Sequence, residues 1–222
     1  MAFHLTRRGL HRPTPDELRA LRDVYAERSC IRLPGFLEPG LLRLVHRRIA
    51  GALWREIVHA DLDPPATELI IDEPVLEGVF AAVMQDPALF DAVRAITGCD
   101  PIGSFEGRVY RMDPGGAHHD SWHGDDDEHA VENNRMATLS VNLSAGTYEG
   151  GVLELRRRGS DRLLERVANT GAGDAILFRI DHALEHRVTD VEGPVPKIAW
   201  AGWFQREPRV DLGGLVRSSA AW

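Results

Sequence analysis

The spacing of hydrophobic positions changes once along the chain, near residue 100, and this change predicts two kinds of structure. Before residue 100, apolar side chains recur every three or four positions, which is typical of amphipathic helices. Thr14, followed by Pro15 and by Glu17, predicts the capped start of the first helix. The predicted elements are helices from Pro15 past Tyr25, over about 39–58, over 73–84 and over 87–97, the last between Asp86 and Gly98, with a short strand at 30–33 and a turn at 63–65.

Beyond residue 102 the apolar period falls towards two and the segments shorten, as expected of strands. Seven strands are predicted, at 107–112, 137–144, 152–156, 163–167, 175–180, 187–191 and 198–204. Seven strands with no helical pattern between them favour a jelly roll or a barrel. We therefore expect one α+β, mainly β domain over 1–222: a mainly helical support in 1–100, a jelly-roll core in 101–206 and a tail in 207–222.

One predicted strand separates apolar from small polar side chains. Leu139, Val141 and Leu143 share one face, and Thr138, Ser140 and Asn142 share the other. In a sandwich the polar face meets solvent, whereas in a barrel with a polar cavity it lines a site. The alternation alone leaves both arrangements open.

The composition is that of a globular protein, and it narrows the classes of partner. The 222 residues are 43% hydrophobic and 27% charged, which suits one large domain. A net charge of −8 disfavours a nucleic-acid module driven by phosphate neutralisation. Neither a membrane-span-length apolar run nor a signal-peptide pattern is found, and Cys30 and Cys99 allow one bridge at most. We therefore expect a cytoplasmic protein with reduced thiols and no membrane partner.

The histidine pattern is the strongest chemical signal in the sequence. Four of the ten histidines fall close together: His118, His119, His123 and His129. His118 with Asp120, and His123 with Asp125, each form a His-x-Asp pair, which on an extended strand presents a nitrogen and an oxygen ligand to one point. The distant His186 supplies a second imidazole. Two imidazoles and one carboxylate make the facial triad of non-haem iron(II) oxygenases.

An ordered set of residues extends this signal over nearly half of the chain. It comprises Tyr110, Gly115-Gly116, His123-Gly124-Asp125, the segment 135–143, Gly150-Gly151, Gly173-Asp174, Phe178, His186, Lys197 and Trp203. In order and approximate spacing this set resembles the iron(II)- and 2-oxoglutarate-dependent dioxygenases, specifically their prolyl-hydroxylase-like branch.

The resemblance implies a double-stranded β-helix, the cupin-like jelly roll, that holds Fe(II) through His123, Asp125 and His186. It places the chain's single lysine, Lys197, at the far carboxylate of 2-oxoglutarate, near the side chains Tyr110, Ser140, Asn142 and Trp203. With O2 as the second cosubstrate, the implied reaction is hydroxylation of an unactivated C–H bond. Relatives act on peptides, amino acids and natural products, and the compact length favours a small molecule, an amino acid or a short peptide as substrate. We expect a monomer or homodimer as the assembly.

Two features of this assignment stay open at the sequence level. The pair His118 and Asp120 is an alternative to His123 and Asp125, which we prefer because relatives leave about six residues between the loop glycine, here Gly116, and the first ligand. The candidate substrate contacts around the predicted pocket are Arg108, Arg111, Arg135, His119 and Trp122.

Two other functions compete with the oxygenase. His182, Glu185 and His186 fit the His-x-x-Glu-His pattern of a zinc hydrolase, but that chemistry needs the segment to be helical, and it lies between strand-like runs. A non-catalytic cupin-like metal-binding or sensor domain would hold a metal without forming succinate.

Overall fold

The computed structural model describes residues 3–59, 66–115, 122–125, 134–168 and 170–207. Helices are α1 Pro15–Arg28, α2 Pro39–Ile49, α3 Pro74–Val83 and α4 Pro87–Thr97. Strands are β1 His4–Thr6, β2 Gly9–His11, β3 Cys30–Leu33, β4 Leu53–His59, β5 Ala66–Asp72, β6 Ser104–Met112, β7 Arg135–Asn142, β8 Glu149–Gly150, β9 Leu153–Arg157, β10 Leu163–Val167, β11 Ala175–Arg179, β12 Leu184–Val188, β13 Val191–Glu192 and β14 Lys197–Gln205. No helix in these ranges is long and apolar enough to cross a membrane.

Helix boundaries follow the local signals in the sequence. The side chain of Thr14 accepts a hydrogen bond from the backbone of Glu17, and the Glu17 carboxylate accepts one from the backbone of Thr14. These reciprocal bonds satisfy two backbone donors at the start of α1. Asp86 caps α4, and Gly98 ends it with φ 71°, a left-handed conformation that glycine adopts without strain. The predicted bounds of α4 are confirmed.

The second helix is shorter than predicted, and this is a correction to the sequence analysis. Instead of continuing to residue 58, α2 ends at Ile49, and the chain forms the hairpin β4–β5. Gly51 costs about 1 kcal/mol inside a helix, and the β-branched pair Ile57-Val58 favours a strand. Leu53, which extends the helical stripe, is 73% exposed. The first hundred residues therefore carry strands as well as helices, and the predicted turn at 63–65 lies outside the described residues.

The strands of the described residues form one large antiparallel sheet and three small ones. The large sheet has the order β3-β11-β7-β14-β6-β5-β4, and the small sheets are β1-β2, β10-β9-β12 and β13-β8. Phe178 of β11 packs with Leu155 of β9 in one apolar cluster, so the large and the three-stranded sheet face each other. This arrangement is the predicted jelly roll.

All seven predicted strands overlap an observed one, but one of them has the wrong bounds. The predicted strand 187–191 divides into β12, which ends at Val188, and β13, which begins at Val191. In β12 the charged side chains Glu185 and Arg187 are both partnered by residues of β9.

The main core lies on one face of the large sheet, against the helices. Trp200 of β14 stacks on Phe80 of α3 with ring centres 3.8 Å apart, and Phe105 packs edge-on at 5.3 Å. Phe204, four residues further along β14 and on the same face, is fully buried in the same cluster. Because side chains alternate along a strand, Ala199, Ala201 and Trp203 face the other way, towards the three-stranded sheet.

Replacing Trp200 by alanine is expected to lower the free energy of unfolding by about 3–5 kcal/mol, since it empties a packed aromatic site. Urea unfolding followed by circular dichroism measures the loss. Leu53→Ala is the control, because Leu53 is largely exposed and its truncation leaves no cavity. Equal stability of the two variants contradicts the proposed core.

Candidate metal centre

The inner face of the large sheet is lined by residues in register across four strands. Ala201 of β14 lies opposite Arg108 of β6 and opposite Ser140 of β7. Two residues further along β14, Trp203 lies opposite Thr138, which in turn pairs with Phe178 of β11. Ala201 and Ser140 are small side chains in the middle of this face.

Three potential ligands meet at one end of this face. His123, Asp125 and His186 each present a ligand atom, and these atoms all lie within 4.8 Å of one another. His186 Nε2 is 3.8 Å from Asp125 Oδ2, and the two imidazole rings have centres 4.3 Å apart. The structure thus brings His186 to His123 and Asp125, although it lies more than sixty positions after both of them in the sequence.

The backbone holds the two histidines directly opposite each other. His123 and His186 exchange both backbone hydrogen bonds, of 3.1 and 2.9 Å, in an isolated antiparallel bridge. The His186 ring also packs against Phe178, with ring centres 4.9 Å apart. Because i and i+2 share a face in extended backbone, Asp125 follows His123 to the same point.

Asp125 is oriented by a hydrogen bond from the large sheet. Thr138 Oγ1 donates to Asp125 Oδ2 at 2.9 Å, and the Asp125 side chain is only 9% exposed. A buried carboxylate is costly unless it is paired or coordinates a cation. Thr138 was not among the predicted site residues, although it shares the polar face of β7 with Ser140 and Asn142.

The donor set fits a divalent transition metal. Two ligand atoms about 2.1 Å from one ion lie about 3 Å apart when the bonds are at right angles. The 3.8 Å separation between His186 Nε2 and Asp125 Oδ2 is within about an ångström of this value. Two imidazoles and one carboxylate are the ligands of non-haem iron(II) sites that keep open positions.

Lys197 lies at the other end of the inner face. Its side chain is 6% exposed, and its ammonium donates to the Gly151 carbonyl at 2.9 Å. Gly151 has φ 56°, and a Cβ there would come 2.9 Å from Lys197 Cδ, so glycine is required for this packing. Burial raises the pKa of the neighbouring Tyr148 to about 12, which keeps its hydroxyl protonated. A carboxylate fits this positively charged end.

The other predicted cosubstrate residues divide into two groups. Tyr110 and Ser140 are half-buried on the inner face, opposite Ala199 and Ala201 respectively. Asn142 is a correction: its amide nitrogen donates to the carbonyls of Thr170 and Gly171, and its oxygen accepts from the backbone of Ser144. Both amide hydrogens are bound by carbonyls of the loop that precedes β11, so none remains for 2-oxoglutarate.

Arg108 lies on the inner face in a bidentate ion pair with Glu68. Its Nε and Nη2 donate to the two Glu68 oxygens, both at 2.9 Å. Burial works to lower the pKa of Arg108, but the Glu68 carboxylate outweighs it, with smaller contributions from Tyr110 and Asp125, so the pKa lies above its ordinary value. The guanidinium is therefore a fixed positive charge near the candidate metal ligands.

Arg135 and Trp203 form a second positive group beside the triad. The Arg135 guanidinium carbon lies 3.8 Å from the centre of the Trp203 ring. A register shift between β7 and β14 at this point moves Arg135 towards Trp203. Within the described residues, Arg135 Nε and Trp203 Nε1 are buried donors without a hydrogen-bond partner. Buried donors are costly to leave unpaired, so the pair suits a hydrogen-bond acceptor on a ligand.

Two candidate substrate contacts do not face the pocket, which corrects the sequence analysis. Arg111 lies on the face of β6 opposite Tyr110, and it donates to both oxygens of Asp113. The Trp122 ring lies against the guanidinium groups of Arg156 and Arg187, on the outer side of the small sheet. His119 and the alternative pair His118 and Asp120 lie outside the described residues.

The zinc-hydrolase pattern is contradicted by the local structure. Glu185 and His186 are consecutive residues of strand β12 rather than of a helix, so their side chains point to opposite faces. Glu185 accepts from Arg156 at 2.9 Å, and the His182 side chain is 90% exposed. These three residues do not converge on one ion.

The fold and the site together define a class, the non-haem iron oxygenases with a jelly-roll core, and the comparisons agree. Residues 107–205 match the family model of the 2OG-Fe(II) oxygenase superfamily, whose members use Fe(II), 2-oxoglutarate and O2. Residues 107–205 are therefore a 2OG-Fe(II) oxygenase domain, which supports the assignment of the chain as a 2-oxoglutarate-dependent dioxygenase.

Similar solved structures confirm the fold across most of the chain. A prolyl-4-hydroxylase from Pseudomonas putida is 21% identical, with a TM-score of 0.56, and the alignment covers 86% of this chain and 99% of that one. A prolyl hydroxylase from Trichoplax adhaerens, bound to a hypoxia-inducible-factor peptide, is 14% identical, with a TM-score of 0.63 and coverage of 87% and 94%. The epimerase SnoN of nogalamycin biosynthesis is 15% identical, with a TM-score of 0.62 and coverage of 86% and 83%. No curated protein sequence matches the chain.

Proposed function

We propose that this dioxygenase hydroxylates an unactivated C–H bond of a small molecule, an amino acid or a short peptide. His123, Asp125 and His186 hold Fe(II) in this proposal, and Lys197 binds the far carboxylate of 2-oxoglutarate. The observation that carries it is the approach of two imidazoles and one carboxylate to within 4.8 Å, on the inner face that also buries Lys197.

The chain's own residues position and shield the reactants. When bound, Fe(II) supplies the activation of O2 that couples decarboxylation of 2-oxoglutarate to oxidation of the substrate. Thr138 fixes one oxygen of Asp125, and the bridge between His123 and His186 fixes the two imidazoles. Phe178 covers the His186 ring with an apolar surface, which excludes water from one side of the centre.

Lys197 and Tyr110 define where the cosubstrate lies. Lys197 enters the inner face beside Ala199, and Tyr110 is opposite Ala199 on the next strand. An ammonium donates up to three hydrogen bonds, so Lys197 is able to bind a carboxylate while it keeps its bond to Gly151. Ala199 and Ala201 leave room for the cosubstrate between this end and the triad.

The substrate carries a carboxylate or carbonyl group in this proposal. Arg135 Nε and Trp203 Nε1 are adjacent buried donors, and Trp203 pairs across the sheet with Thr138, which bonds Asp125. An acceptor bound there places a neighbouring C–H group close to the triad. The similar solved structures include a prolyl hydroxylase bound to a peptide and the epimerase SnoN of nogalamycin biosynthesis. Both agree with a compact substrate of this kind. The net charge of −8 argues against nucleic acid as the substrate.

Anaerobic addition of Fe(II) and then 2-oxoglutarate should produce the weak visible charge-transfer band that the superfamily implies. On admission of O2, succinate should form, and amino acids and short peptides with a free carboxylate should accelerate it. Metal binding with no band and no succinate contradicts the oxygenase and supports the non-catalytic sensor domain. Arg135→Ala should abolish the acceleration by carboxylate substrates and leave the band unchanged.

A further inference from the structure

The outer face of the three-stranded sheet carries a row of alternating charges. Arg166 of β10 donates to Glu154 of β9 at 3.2 Å, and Arg187 of β12 donates to the other oxygen of Glu154 at 2.8 Å. Each of these residues lies directly opposite the next in the register of the sheet. The Glu154 carboxylate is buried, so this row is fixed rather than freely solvated.

Trp122 continues this row into the segment that carries the first two candidate ligands. Because His123 pairs with His186, the preceding residue Trp122 stands opposite Arg187. The Arg187 guanidinium carbon lies 4.8 Å from the centre of the Trp122 ring. A guanidinium at this distance from an indole face is attracted by the ring quadrupole.

A second arginine lies even closer to the same ring. The Arg156 guanidinium carbon is 4.0 Å from the ring centre of Trp122. Arg156 is held in turn by Glu185, with Nε and Nη2 each 2.9 Å from Glu185 Oε2. Both arginines are therefore anchored by carboxylates of the sheet, and they present a rigid cationic surface to Trp122.

Trp122 and His123 point to opposite sides of the same short extended segment. The Trp122 ring is fixed outside the sheet, whereas the His123 ring meets His186 inside it. Within the described residues, segment 122–125 is attached to the sheet by this ring, by the two backbone bonds to His186 and by the bond from Thr138 to Asp125. A rotation of the segment that frees Trp122 also turns His123 away from His186.

We propose that Trp122 is a positioning residue, which sets the orientation of His123 and Asp125 through its contacts with Arg156 and Arg187. The inference rests on the proposed metal site at His123, Asp125 and His186. Ligand constellations work only when they are held to within about 0.5 Å, and losing an outer partner of a ligand typically costs 10–100-fold in metal affinity.

The test is an anaerobic titration with cobalt(II) alone, followed by its visible ligand-field bands, so that turnover is not needed. Trp122→Ala should weaken cobalt binding 10–100-fold and alter the bands, and Trp122→Leu should behave like it. Trp122→Phe, which keeps an aromatic face for the two arginines, should restore the affinity to within about threefold. Arg156→Ala should weaken binding in the wild type and have little further effect in the Trp122→Ala background.

Trp54→Ala is the matched control, because Trp54 also lies against an arginine, Arg111, with 5.6 Å between guanidinium carbon and ring centre, but on β4. Its cobalt affinity should equal that of the wild type. If Trp122→Leu and Trp122→Ala bind cobalt like the wild type while His186→Ala does not, the positioning role is overturned and the metal site stands. If His186→Ala binds cobalt normally, the proposed metal site itself fails. Equal losses in the Phe and Leu variants also overturn the role proposed for the arginines.

Discussion

His186→Ala is expected to abolish succinate formation and to weaken Fe(II) binding at least about 100-fold. The substitution removes one of three ligands and leaves one imidazole and one carboxylate, which hold a divalent ion poorly. Isothermal titration under anaerobic conditions measures the metal affinity, and the succinate assay measures turnover.

His182→Ala is the matched control, because it makes the same substitution four positions earlier on a side chain that is 90% exposed. Both its metal affinity and its succinate yield should stay within about twofold of the wild type. A loss in His182→Ala comparable with that in His186→Ala would favour the zinc-hydrolase pattern, and undiminished metal binding by His186→Ala would refute the proposed centre.

Lys197→Met is expected to weaken 2-oxoglutarate binding about 100-fold or more while leaving Fe(II) affinity within about threefold. Methionine has a similar length but no charge, so the substitution removes the ammonium group and keeps most of the volume of the side chain. Removing one partner of a buried ion pair typically costs about 3–5 kcal/mol, because the remaining charge stays unpaired away from water. Anaerobic titration of the visible band with 2-oxoglutarate gives the affinity.

Lys197→Arg is the accompanying variant, since a guanidinium keeps the positive charge and provides two parallel donors for a carboxylate. It should recover much of the affinity that Lys197→Met loses. If the methionine variant loses metal and cosubstrate affinity in equal measure, Lys197 acts on the fold of the site rather than on the 2-oxoglutarate carboxylate.

The residues that could be predicted from sequence are those fixed by local spacing or by position in an ordered motif. His123 and Asp125 are two apart on extended backbone, so their side chains point the same way whatever the rest of the fold does. The helix start at Thr14 and the end at Gly98 follow from capping geometry within a few residues. The choice of a double-stranded β-helix over a barrel came from the resemblance rather than from periodicity.

The residues that could not be predicted depend on contacts between distant segments. Glu68 holds Arg108 from across the sheet, but the hairpin that carries it was hidden by a helical spacing that runs past Ile49. The sequence does not indicate which side the Trp122 ring faces, because its partners Arg156 and Arg187 come from β9 and β12. Asn142 shares a face with Thr138, yet its amide donates to a carbonyl of the loop before β11, which alternation alone does not reveal.

Alternate residues of strand β14 serve different purposes: one set packs in the core, and the other faces the candidate site. Trp200 and Phe204 pack against the helices, whereas Ala199, Ala201 and Trp203 line the other side of the same backbone. A change of substrate range during evolution or engineering is therefore able to proceed at Trp203, the proposed substrate contact, without loosening the aromatic cluster. Larger side chains at positions 199 and 201 instead narrow the space proposed for 2-oxoglutarate, while the packing of Trp200 and Phe204 against the helices holds the strand in place.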